Sequence, residues 1–181
     1  MIMSVDELRK YINSDEEDEA LEAKLQALEL LIRAHTNNNF QIRALRVKAD
    51  AVSSEKQMLI NEHIPFVVGD TLQISGSAYM LNELVTVKAV SDGVLTVNEP
   101  IEDEHGVVLT KVKYPKDVQM GVVNLLKWDI DNREKVGVSS ETISRHSVTY
   151  FDLTGDNSSM GYPKALMGFL NPYYRARFGG G

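Results

Sequence analysis

Between residues 64 and 114 the sequence gives up helical spacing for a run of short alternating segments cut by turns, and no other stretch limits the fold as much. The segments are FVVGD, TLQISGS, LVTVKAV, VLTVNEPI and VVLTKVKY, and Asp92-Gly93 stands between two of them as a hairpin signal. Val85, Val87 and Ala89 alternate with Thr86 and Lys88, as a strand with one buried face requires. Five or so strands in about fifty residues predict a small all-β barrel or curled sheet. Gly69-Asp70 and Ser75-Gly76-Ser77 read as turns and not as phosphate cradles, because neither has P-loop glycine spacing or leads into a helix. Acids from Glu99 to Glu104 and a scarcity of stacking aromatics count against an oligonucleotide-binding barrel.

Helical patterns flank this run. From residue 18 to 37, Leu21, Leu25, Leu28, Leu31 or Ile32, and His35 recur at three- and four-residue steps until Asn37, Asn38 and Asn39 end the pattern. Pro115 opens a second helix, and Val118, Val122, Leu125, Leu126 and Trp128 or Ile130 give it an apolar face wide enough to pack on the first. Ser4 with Glu7 is a capping-box pattern for a short helix bearing Val5, Leu8 and Tyr11 or Ile12. A last short helix is expected from Tyr162-Pro163 to Leu170, stopped by Asn171-Pro172. Residues 40–52 alternate as a strand with Arg43, Arg46 and Lys48 on it, 53–62 are ambiguous between loop and helical turn, and 136–145 read as a loop. The expected fold is α+β: a helical core of two long helices plus short terminal helices, built from residues 1–63 and 114–178. A small all-β barrel-like subdomain is inserted at 64–113, and 179–181 form a flexible glycine tail.

At 181 residues, 43% hydrophobic and 25% charged, the chain can bury a real core. It has no cysteine, which removes disulfides, thiolate metal sites and cysteine nucleophiles. No apolar run reaches the roughly 18 residues needed to span a bilayer, and the first residues lack a signal-peptide pattern, so a soluble, unexported chain with no membrane partner is expected. A net charge of -7 argues against a general nucleic-acid binder.

No set of residues carries catalysis. The acidic run NSDEEDE at 13–19 lacks the glycine and ligand alternation of a calcium loop and reads as a solvated linker into a helix N-terminus. His35 has no partner at metal-binding spacing. Asp117, Asp129, Asp131 and Glu134 do not share the apolar side of their helix, and Ser139, Ser140, His146 and Asp152 have no nucleophile-elbow glycines. The chain is therefore expected to be no enzyme and to need no cofactor or metal. Its end, SVTYFDLTGDNSSMGYPKALMGFLNPYYRARF at 147–178, sets tyrosines beside arginines and reads as a protein-contact segment, since Tyr and Arg make large, rigid and bidentate contacts.

Several segments in this order resemble the head-tail connector, or adaptor, proteins of long-tailed phages. They are DELRKYI at 6–12, the acidic run and the long helix ending at Thr36, YPKDVQMGVVNLLKW at 114–128, Ser147 to Tyr150, and the P-x-x-L-x-x-x-L-x-P-Y-Y-R ending from Pro163. They cover roughly two thirds of the chain. The stretch 64–113 departs from the pattern, because the plainest members join their helices more briefly, while FVVGDTLQISGS resembles small β modules of phage structural proteins. The resemblance implies a mostly helical core and a structural virion protein at the head-tail interface, made in the host cytoplasm. It also implies a homo-oligomeric ring beneath the portal that need not persist in the isolated chain. A portal protein would lie above and a stopper or tail-completion protein below, with the genome DNA passing through without specific binding. On this reading Ser147, Val148, Thr149, Tyr150, Tyr173, Tyr174, Arg175, Arg177 and Phe178 face the portal or a neighbouring subunit. The alternative is a nucleic-acid-binding module using the β insertion and the strand with Arg43, Arg46 and Lys48.

Overall fold

The computed structural model describes residues 1–80, 83–132 and 157–176, with the backbone of 140–143 and 146–149. These fall into two compact units: Met1 with Asn39–Tyr114, and Ile2–Asn38 with the described residues from Pro115 onward.

The first unit is all β. Strands β1 (Gln41–Val52), β2 (Gln57–Leu59), β3 (Thr71–Ser75), β4 (Leu84–Ser91), β5 (Val94–Val97) and β6 (Glu104–Val112) pair antiparallel in the order β1-β2-β5-β4-β3-β6. The sheet closes into a barrel because β6 returns to β1, with Arg46 opposite Thr110 and Lys48 opposite Val108. Asp92 and Gly93 are the two-residue turn between β4 and β5, and Gly93 adopts φ 71, a conformation that costs little only without a Cβ. Alternation then sorts the side chains. Met58, Leu72, Ile74, Val85, Leu95 and Leu109 fill the interior, each burial stabilising by about 1.5–3 kcal/mol. Phe40 enters β1 at φ 51, held by Lys113 N–H donating to its carbonyl at 3.0 Å and by its ring on Tyr114, with centroids 4.8 Å apart. At the far end Glu104 accepts from the Ser77 hydroxyl and from Ala78 N–H at 2.8 Å, bonds that hold its carboxyl below its ordinary range.

The second unit contains α1 (Val5–Leu8), α2 (Asp18–Thr36), α3 (Lys116–Asn132), β7 (Ser140–Ile143), β8 (His146–Thr149), β9 (Ser158–Ser159), β10 (Tyr162–Pro163), α4 (Lys164–Met167) and a 3-10 helix at Gly168–Tyr173. Ser4 caps α1 by accepting from Glu7 N–H at 3.2 Å, and α1 ends after one turn. Helix α2 buries Leu21, Leu25, Leu28 and Ile32 and stops where Asn37 turns left-handed at φ 50, with Asn38 N–H donating back to Arg33 O. Most of the acidic run is solvent-exposed, as expected, and it is tied down at two points: Arg9 donates to Asp18 at 2.7 Å and to the carbonyls of Ser14 and Glu16, and Lys24 pairs with Glu16. In α3 the buried residues Val118, Gly121, Val122, Val123, Leu125 and Leu126 span too wide an arc for one partner helix. The C-terminal elements take part of it, with Phe169 lying on Gly121 and Tyr162 meeting Trp128 edge-on at 5.6 Å.

The expectation of a helical core carrying a small β insertion is overturned. The protein is α+β, and a closed six-stranded antiparallel sheet with its own buried cluster is its central architecture. Helices α2 and α3 are present but do not make a two-helix core. The physical reason lies in the signals: an amphipathic helix of 19 or 17 residues is loud, whereas each short strand is faint until its neighbours are known. The barrel also draws on β1 and β2, upstream of residue 64. Residues 140–143 form a strand antiparallel to β8 where a loop was expected, and the last helix tightens to 3-10 from Gly168 and runs through Pro172 to Tyr173. No helix among the described residues is long and apolar enough to cross a membrane.

The Gly121 contact tests the packing of the second unit. A Cβ at this position would lie 2.4–2.5 Å from Phe169 ring carbons, so Gly121→Ala is expected to destabilise the chain by about 1–3 kcal/mol in urea unfolding. The double variant G121A/F169A should lose less than the sum of the two single losses, because the clash disappears with the ring.

Candidate interaction surface

The C-terminal residues expected to make contacts are built onto the end of α2 and the start of α3. The 3-10 helix delivers Tyr173 to α3, where its hydroxyl donates to the Asp117 carboxylate at 2.7–2.8 Å, and Asp117 also accepts from Val118 N–H at 2.9 Å. Beyond it the chain runs extended past the α2 terminus. Arg175 N–H donates to Thr36 O at 2.9 Å, and Asn38 Nδ2 donates to Tyr173 O at 3.1 Å. Asn37 Nδ2 reaches the carbonyl of Ala176 at 3.3 Å. The Tyr174 hydroxyl is hydrogen-bonded to His35 Nε2, and the rings meet edge-on with centroids 5.1 Å apart.

This arrangement has a simple logic. Helix ends leave carbonyls without intrahelical partners, and the asparagines that stop α2 carry amide donors. The C-terminal strap supplies an N–H to the first and carbonyls to the second. Its main chain is thereby held, while Tyr174, 47% exposed, and the exposed Arg175 keep side-chain surface in solvent. Tyr173, half-buried, instead directs its hydroxyl to Asp117.

Of the other expected contact residues, Ser147, Val148 and Thr149 lie in β8, whose backbone pairs with β7 of the same chain. Tyr150, Arg177 and Phe178 lie outside the described residues. His35, Asn37, Asn38 and Asp117, which anchor the strap, were not expected to belong to the site. The run Asn37-Asn38-Asn39 was the available signal, but it reads only as a helix stop until the strap is seen.

The hydrolytic letters do not assemble among the described residues. Ser140 pairs with Thr149 and His146 with Ile143, which sets Ser140 and His146 about 10 Å apart along the hairpin. Ser139 and Asp152 lie outside the described residues. Asp117 and Asp129 are about 18 Å apart along α3, and Glu134 lies outside the described residues. No three His, Asp or Glu among the described residues come together as metal ligands. A cavity of about 420 Å³ is lined by Asn13, Ser14, Asp15, Glu16 and Ile130, and of these Ser14 and Glu16 already take part in the Arg9 and Lys24 network. No protein-family model matches the chain, and no curated protein matches it.

The hydrogen bond to Asp117, with burial adding to it, raises the Tyr173 pKa above the ordinary tyrosine value. A raised acid favours its protonated form in the folded state. Its contribution is therefore complete below the unfolded tyrosine pKa and is lost as pH rises through the folded one. In a pH titration followed by NMR of ring-labelled tyrosine, one resonance should ionise above the others, and Asp117→Asn should return it to them.

Proposed function

We propose that this protein is a structural virion component, a head-tail connector that assembles as a ring on the portal and forms part of the DNA channel between capsid and tail. The observation that carries the reading is the strap at residues 173–176. Its main chain is fixed by Thr36, Asn37 and Asn38, and it presents Tyr174 and Arg175 in the P-Y-Y-R ending that resembles connectors. The reading rests on sequence segments that lie almost wholly in the second unit, and not on the helical-core expectation corrected above. A ring of identical subunits needs heterologous contacts that close, and a segment anchored by backbone that exposes part of an aromatic ring and a guanidinium suits such a contact. The partners are the portal protein above and a stopper or tail-completion protein below. The net charge of -7 suits a channel through which DNA slides without being held by its sequence.

The test mixes the chain with portal-bearing heads and follows incorporation by electron microscopy. The intact chain should add a ring of density beneath the portal, and truncation after Leu170 should abolish it. Because the truncation also removes strap bonds, Arg175→Ala is the companion variant: it keeps the main-chain contacts and should cut occupancy at limiting concentration at least several-fold. Normal occupancy by both variants would remove this reading.

A further inference from the structure

Strand β1 of the barrel carries three exposed cations, Arg43, Arg46 and Lys48, with Asp50 and Glu62 beside Lys48 in one cleft. Arg46 and Lys48 are exposed on β1, and Val47 and Ala49 between and beyond them are 5% and 3% exposed and turn inward. By the same alternation Arg43 would face the interior. It does not, because the β1–β6 register slips between Gln41 and Arg46: five residues advance on β1 against two on β6, and Arg43 emerges exposed. Across the irregular stretch Arg43 is exposed, as Arg46 and Lys48 are.

Several of the barrel's acids are engaged by groups other than these three side chains. Asp70 pairs with Lys111 at 2.6 Å, Asp50 accepts from Gly106 N–H, and Glu99 accepts from Thr86 N–H. Asp103 accepts from Ser53 N–H, Glu104 caps the turn at Ser77, and Glu62 takes the backbone N–H of Lys48, not its ammonium. Among the described residues, the side chains of Arg43, Arg46 and Lys48 have no ion-pair partner. The face also lacks the desolvated apolar centre that a protein partner uses. Leu59, a partly exposed apolar residue, pairs with Asp50 and lines the cleft beside Lys48 singly, without a surrounding apolar patch among the lining residues. No aromatic on β1 offers a surface for stacking bases. Cations alone, two of them guanidiniums suited to bidentate contact with phosphate, read charge and not sequence.

We propose that the outer face of β1, through Arg43, Arg46 and Lys48, binds the phosphate backbone of nucleic acid without sequence preference. This goes beyond the connector reading and does not depend on it. It is a weak site by design: three phosphate contacts give a shallow dependence on salt.

The test is fluorescence anisotropy of the full chain with a labelled mixed-sequence duplex from low to moderate KCl. The plot of log K against log salt should have a slope of about -2.7, from about -0.9 for each of three phosphates, and a shuffled duplex should give the same line. Arg46→Gln should reduce the slope by about 0.9. The triple variant R43Q/R46Q/K48Q should bind no duplex at low salt, whereas K56Q/K88Q, with its cations elsewhere on the barrel, should bind as the parent does. The single-variant slope still decides the matter if the triple variant does not fold. Absence of binding at low salt, or a slope unchanged by Arg46→Gln, would overturn the proposal. So would poly-glutamate competing as well as DNA per charge, which assigns the face to an acidic protein surface instead.

Discussion

The closure of the barrel depends on one strand meeting two neighbours. At 12 residues β1 is about 40 Å long, enough to lie along β6 for most of its length and still reach β2 with Asp50, Ala51 and Val52. Without β1 the remaining five strands would be an open sheet with two edges, each a template for another chain. With it, the interior positions of all six strands converge on one buried cluster. The division of labour along β1 follows. Its end is held on both sides, whereas Arg46 and Lys48 pair with β6 alone and Arg43 lies in the irregular stretch before them, so the cations discourage strand-on-strand pairing at that edge.

How much of this was legible depends on the range of the interaction. The three- and four-residue leucine spacing located α2, the proline and valine pattern located α3, and the Asp92-Gly93 signal marks an actual turn, because each is decided within a few residues of chain. Closure is decided by β1 meeting β6, some sixty residues later, and no local pattern announces it. Strand β2 shows the same limit. Its three residues are too few for a readable alternation, and Met58 becomes a core residue only because Leu95 lies opposite. At the candidate site, tyrosine and arginine composition drew attention to the ending. It could not reveal that Tyr173 is spent on Asp117, or that the helix-stopping asparagines hold the strap.

Both candidate surfaces arise from how the structure uses its charged and polar groups internally. Carboxylates serve as hydrogen-bond acceptors: Asp117 for Tyr173 and Val118, Glu104 for Ser77 and Ala78, Asp103 for Ser53. Capping does not neutralise a carboxylate, but it fixes where the negative charge stands. A net charge of -7 is therefore a poor description of any single face. Exposed charges more than about 8–10 Å apart are largely screened at physiological salt, so a ligand meeting β1 responds to Arg43, Arg46 and Lys48 far more than to the chain average. The strap obeys the same rule with neutral groups. Because Thr36 and Asn38 bind its backbone, the geometry of residues 173–176 is set by atoms that every amino acid shares, and the side chains at 174 and 175 can be chosen for what they touch.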